Sequence, residues 1–283
     1  MKLRKYAVVF VLLFGLLSLP AWERLNAEES SVVEVPVSLS YYSTYWWRGI
    51  ELNGKSNGVI WPGLGVKFPT VGLALKVAAG ISQDYAQQSD KSTEELKANK
   101  KSQKTLTEMD YGISYSTEFA KLVAFGIGVM YVHYPYYDAA DTETSKAKNP
   151  SFWEGSLSLG LKVLLNPTVE CFYDYYVEEN NDKNPRNEDY YVKLSLTHNL
   201  IEKDGFSFYI SPWVGYYNNA YLKRKGWSDA GGTVGIKKDH GKASFGGFAS
   251  YARSLDKDFQ LEYAGIGRLK NHIWAGFDMG YAF

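Results

Sequence analysis

The sequence predicts an all-β chain: a transmembrane, antiparallel up-and-down β-barrel of about 12 strands with short periplasmic turns and long outer loops. Three observations carry this. An alternation of period two recurs through the chain, one parity of each strand is free of charge through its middle, and the connections alternate between short and long. Side chains alternate across a strand, so the first two observations describe sheets with one uniformly apolar face. The third places short links at one end of the sheet and long links at the other.

Composition agrees and narrows the partners. Net charge is zero over 283 residues, which removes the electrostatic signature of a nucleic-acid partner. Aromatic residues make up 16%, with 23 Tyr and 26 Gly, a mixture suited to strands and interfaces. The single Cys171 rules out an intramolecular disulfide framework.

Residues 1–27 read as a secretory signal peptide and 28–283 as the barrel. Lys2, Arg4 and Lys5 precede an apolar run from Tyr6 to Leu19, shorter than the roughly 20 residues a membrane-crossing helix needs. Cleavage is expected after Ala27, with Ala21 as the alternative; no cysteine lies there to carry a lipid anchor.

The twelve expected strands span 33–48, 59–68, 71–82, 108–119, 122–133, 152–163, 168–178, 188–199, 205–217, 228–238, 242–253 and 271–283. Uncharged parities run through Val35, Val37, Leu39, Tyr41 and Tyr45, then Val71, Leu73, Leu75 and Val77, and later Val123, Phe125, Ile127 and Val129. Charges inside strands fall on the other parity, where they escape the cost of about 2–4 kcal/mol for a cation at the bilayer midplane. That second face is rich in small residues, such as Ser114, Gly126, Gly128, Ser156, Ser158 and Gly160. A solvent-facing sheet of a soluble sandwich would carry more Lys, Glu and Thr; small residues fit the crowded inside of a narrow cylinder.

Short links are expected at Pro69-Thr70, Ala120-Lys121, Asn166-Pro167, Glu202 to Asp204 and His240-Gly241, and long ones over 49–58, 83–107, 134–151, 179–187, 218–227 and 254–270. Tyr and Trp gather where strands meet the long loops: Tyr41, Tyr42, Tyr45, Trp46 and Trp47, then Tyr131 and Tyr134, Tyr173, Tyr175 and Tyr176, and Tyr216 and Tyr217. They are expected to form an interfacial girdle; a carbohydrate-binding aromatic platform is the alternative. Pro62 and Pro212 remove ladder donors, so their strands are either bulged or shorter.

The stretch Tyr45-Trp46-Trp47-Arg48-Gly49-Ile50 resembles the opening motif of a family of uncharacterised bacterial outer-membrane barrels, an aromatic pair followed by Arg-Gly-Ile or Arg-Gly-Val at the end of the first strand. The polar turn Asn53 to Asn57 and the strand Val59 to Val66 continue that likeness. The resemblance implies a fold and a bacterial outer-membrane location, but no reaction. The last strand, with Phe277, Met279, Tyr281 and Phe283 on one parity, is similar to the assembly signal of outer-membrane barrels. It implies outer-membrane lipid and the barrel-assembly machinery as partners.

Candidate site residues follow from parity. Arg48, Lys76, Asp110, Lys162, Glu170, Asp174, Lys193 and Asp278 are expected to line the lumen, with Trp46, Phe172, Trp213, Phe248 and Trp274 occupying much of it. Lys162 and Lys193 are expected to neutralise the stripe Glu170, Asp174 and Glu178. The four His are far apart and Cys171 projects to the apolar side, so neither a metal nor a cofactor is expected. His133 has the lipid-facing parity that a phospholipase-type barrel would use, but no serine is placed with it by the sequence. The leading expectation is a non-enzymatic, narrow channel for small polar solutes. A closed barrel acting as surface adhesin or receptor through its outer loops is the alternative, and a lipid-active enzyme is a minor one.

Overall fold

The computed structural model describes residues 33–48, 50–51, 58–82, 106–135, 151–176, 188–219, 224–256 and 271–283; the segment expected to be a signal peptide and most of the expected long loops lie outside them. Twelve strands close into one antiparallel barrel. They are β1 (Pro36–Tyr42), β2 (Val59–Phe68), β3 (Leu73–Ser82), β4 (Leu106–Phe119), β5 (Val123–His133) and β6 (Phe152–Leu161). The second half comprises β7 (Thr168–Tyr176), β8 (Glu188–Ser195, resuming as His198–Lys203), β9 (Phe206–Asn219), β10 (Arg224–His240), β11 (Ala243–Ser254) and β12 (Asn271–Ala282). Each strand pairs with its sequence neighbours, and the ring closes where β1 meets β12 in a ladder from Pro36↔Ala282 to Tyr42↔Gly276. Closure leaves no unpaired edge, the condition for a sheet to stand in hydrocarbon.

One parity faces outward and is apolar: Leu64, Ile113, Leu157, Leu159, Val234, Ile236, Phe245 and Ile273 are all exposed. An apolar surface that wraps a whole barrel is far larger than the patches soluble monomers tolerate, and it matches the lipid-facing band of a membrane barrel.

Two of the short turns adopt the twist-matched geometry of tight hairpins. Ala120 and Lys121 have φ of 51° and 55°, and Asp204 and Gly205 have φ of 50° and 74°, the paired positive values that suit a right-twisted ribbon. The last two residues form the expected turn one position later than the sequence suggested, and the Asn166-Pro167 link widens to residues 162–167. β10 begins at Arg224, so the expected loop 218–227 shrinks to 220–223.

Both awkward prolines are accommodated. The β2–β3 ladder skips from Ile60↔Ile81 to Gly63↔Ala78, so Pro62 sits where pairing is interrupted. Pro212 faces the break in β8 at Leu196-Thr197, where its carbonyl accepts from Leu196 N at 3.0 Å and its missing N–H is not required.

The largest departure concerns the first strand. Its wall ladder ends at Tyr42 rather than Arg48, and Tyr45, Trp46, Trp47 and Arg48 turn into the barrel. There Trp46–Trp47 and Ile50–Glu51 form a two-pair hairpin of their own.

At the far end of the chain, Phe283 extends the β12 edge by donating its N–H to Val35 O at 3.2 Å, and its ring stacks edge-on against Tyr281. The residue remains 65% exposed, so its intramolecular packing is worth less than the roughly 1.5–3 kcal/mol of a fully buried aromatic. Deleting Phe283 is expected to lower the yield of folded barrel in cells well beyond that stability loss, measured as the heat-modifiable fraction; equal yields would make it an ordinary terminal contact.

Candidate functional site

The inward parity of the barrel half nearer the long links carries a row of acids. Register places Glu154 on β6 directly opposite Asp174 on β7, and Asp174 directly opposite Asp189 on β8. Like charges facing each other across strands repel, and these are 8%, 0% and 2% exposed. Such a row requires a counter-charge, and the inward hairpin supplies it. The Arg48 guanidinium donates through Nη1 to Asp174 Oδ2 at 2.5 Å and through Nη2 to Glu154. Its central carbon lies 4.3 Å from the Trp47 ring centre, 5.1 Å from that of Phe172 and 5.9 Å from that of Tyr191. Delocalised, weakly hydrated guanidinium tolerates this acid-and-aromatic surrounding better than an ammonium would.

The rest of the hairpin spans the lumen. Tyr45 packs edge-on against Trp61 of β2 and its hydroxyl donates to Glu108 of β4 at 3.2 Å. Trp46 lies 4.1 Å from the His272 ring and 5.4 Å from Trp274 on β12, and Trp47 contacts Phe152 on β6 and Tyr217 on β9. One segment therefore touches walls on opposite sides of the barrel.

A further buried carboxylate, Asp229, is met by neutral donors instead. Trp213 Nε1 donates at 3.0 Å, Ser228 Oγ at 2.7 Å and the Tyr191 hydroxyl at 3.2 Å. Ser228 is the extra residue of a bulge between β9 and β10, which turns two consecutive residues inward. Opposite them is Gly215, where an added Cβ would stand 2.3 Å from the Tyr191 hydroxyl and 2.5 Å from Asp229; the close approach of this network requires a glycine.

Toward the short-turn end the lumen changes character. Ser114 and Ser116 are exposed on its wall, as is Lys76. Lys193 donates to Glu170 at 3.0 Å with both side chains about a third exposed. The interior is thus a small-residue vestibule with exposed side chains on one side of the hairpin, and a packed aromatic and acidic plug at the hairpin itself.

Several expected residues are relocated. Asp174 does not meet Lys193, because the β7–β8 register pairs Lys193 with Glu170; it lies near the loop end of β7. Lys162 follows the end of β6 and bonds Glu118 at 2.5 Å, half exposed at the rim and away from the central lumen. Asp110 shares the wall with Glu108, and Asp278 lies on the inward parity against Gly246. The aromatic girdle is divided. Tyr131, Tyr173, Tyr175 and Tyr216 stay on the outward parity, whereas Tyr42, Tyr45, Trp46, Trp47 and Tyr217 fill the lumen.

On the outer face, His133 Nδ1 is 3.3 Å from Ser151 Oγ, a pairing the sequence did not reveal. Ser151 is 2% exposed and its oxygen accepts from Tyr134 N at 3.2 Å. That arrangement closes the base of a loop rather than presenting a nucleophile. Among the described residues, no group of acids, histidines and cysteines has the geometry to hold a metal ion.

No protein-family model and no curated protein sequence matches the chain. Among solved structures it is similar to the NanC porin, at 10% identity with a TM-score of 0.51, over 87% of this chain and 98% of that one. An outer membrane channel from Pseudomonas putida F1 aligns at 13% identity and TM-score 0.49, over 92% and 98% of the two chains. LpxR from Salmonella typhimurium aligns at 8% identity and TM-score 0.42, over 88% and 99%. The likeness is one of fold: this chain has the closed barrel architecture of outer-membrane proteins.

Proposed function

We propose that the chain works in the bacterial outer membrane as a narrow passage for small polar solutes, and that the hairpin within residues 43–51 is its constriction. The observation that carries this reading is the contrast within the lumen. A vestibule of small and charged side chains leads to a plug that lies outside the barrel ladder and so can shift without unpairing the wall. A twelve-stranded barrel is wider than the eight-stranded type that side chains fill completely, so moving the hairpin would leave space for water and solute. Single-channel recording in planar bilayers tests the proposal: discrete steps support it, and an electrically silent folded barrel removes it.

The second reading is a closed barrel acting through its outer loops as an adhesin or receptor. The packing of Trp46 and Trp47 across the lumen favours it. A catalytic reading gains little from His133 and Ser151, because the serine is buried and its oxygen already engaged.

Orientation follows from the two sets of links. Added to whole cells whose barrel fractionates with the outer membrane, protease is expected to cut between Gln83 and Thr107, where nine Lys, Glu and Asp residues occur. The tight turn at Gly241 is expected to be spared, and cleavage there first would invert the topology.

A further inference from the structure

The barrel wall around Arg48 has the make-up of a guanidinium-binding pocket, and its present occupant belongs to a segment that is not part of the wall. We propose that the pocket formed by Glu154, Asp174, Phe172 and Tyr191 binds guanidinium-bearing solutes, and that Arg48 is a built-in surrogate which such a solute displaces. The inference rests on the passage reading above and names the class of solute that the constriction recognises.

Two independent observations point to a ligand rather than to a simple internal ion pair. First, the wall offers an acceptor that Arg48 does not use. Glu154 and Asp174 stand side by side on adjacent strands, and Asp174 Oδ1, fully buried, has no hydrogen-bond partner among the described residues. A guanidinium carries five donors and can engage both oxygens of a carboxylate at once, so the pocket can satisfy more donors than Arg48 directs at it. Second, the guanidinium is seated as a ligand would be, between the two carboxylates and over the wall rings of Phe172 and Tyr191. The segment that delivers it is held by a two-pair hairpin ladder, by backbone and side-chain bonds between Ser43 and Ala275, and by side-chain contacts. Beyond the Ser43–Ala275 bonds, none of the barrel's own ladder bonds has to break for it to leave.

An occupied pocket lowers the apparent affinity for an outside ligand by the fraction of time it is free. Emptying it by Arg48→Ala should therefore raise affinity. The test is calorimetric titration of detergent-refolded barrel with agmatine, which carries a guanidinium, and with putrescine, an aliphatic diamine. The proposal expects saturable agmatine binding to Arg48→Ala, tighter than to the parent by at least about tenfold. Binding should be lost in Arg48→Ala/Asp174→Asn and be much weaker for putrescine. Should Arg48→Ala not refold alone, its recovery as heat-modifiable barrel by agmatine and not by putrescine supports the same conclusion. Absence of agmatine binding to folded Arg48→Ala overturns the proposal, as does equal binding of the two compounds or failure of both to restore folding. Because the readout is binding, it separates from the passage question: a barrel that binds agmatine but never conducts keeps the site and loses only the channel.

Discussion

Replacing Arg48 with leucine is expected to destabilise the folded barrel by about 3–5 kcal/mol, the usual cost of removing one partner from a buried ionic group. The reason is the row of acids rather than the lost bonds alone. Glu154 and Asp174 are almost inaccessible to water, and without the guanidinium they face each other and Asp189 uncompensated. Unfolding in detergent micelles, followed by heat-modifiable migration, measures the effect. The triple variant Arg48→Leu, Glu154→Gln, Asp174→Asn is expected to recover most of the loss, because replacing all members of a buried ionic group is often close to neutral. A loss below about 1 kcal/mol for the single variant would mean that the pair is hydrated like a surface bridge.

Trp47→Ala is expected to cost about 3–5 kcal/mol, the range for deleting a large packed aromatic. Trp47 packs against Phe152 and Tyr217 and lies beneath the Arg48 guanidinium, so its removal hollows the plug and loosens the arginine together. The effect should be sub-additive with Arg48→Leu, since the two residues share one contact network. Strict additivity, measured in a double-mutant cycle, would show that the hairpin does not act as a unit.

Most of the wall was legible from the sequence because period two is a strong signal when one face must be apolar. Val59–Phe68 has its expected limits, and the strands from Val123 and Phe152 begin within a residue of expectation. The hairpin was not legible, for a physical reason. An interfacial girdle and a lumen plug draw on the same residues, and the run from Tyr41 to Trp47 continues the alternation past the point where the backbone departs from the wall. The available clue was Arg48, a charge set between two tryptophans and a glycine at the end of a run, Val35 to Trp47, that carries no other charge. The partner of Asp174 was missed because the β7–β8 register, which sets Lys193 against Glu170, depends on the turn and loop joining those strands and not on the hydrophobic pattern alone.

The central claim is that Tyr45, Trp46, Trp47 and Arg48 occupy the lumen, and electrical recording tests it most directly. Single-channel conductance of the parent in planar bilayers would be compared with that of a variant carrying a Gly-Ser linker of equal length in place of residues 43–51. The account predicts a small or intermittent conductance for the parent and a larger, steady one for the variant, with both migrating as folded barrels. Equal conductance in the two would contradict it, because a hairpin whose removal leaves the current unchanged is not in the path.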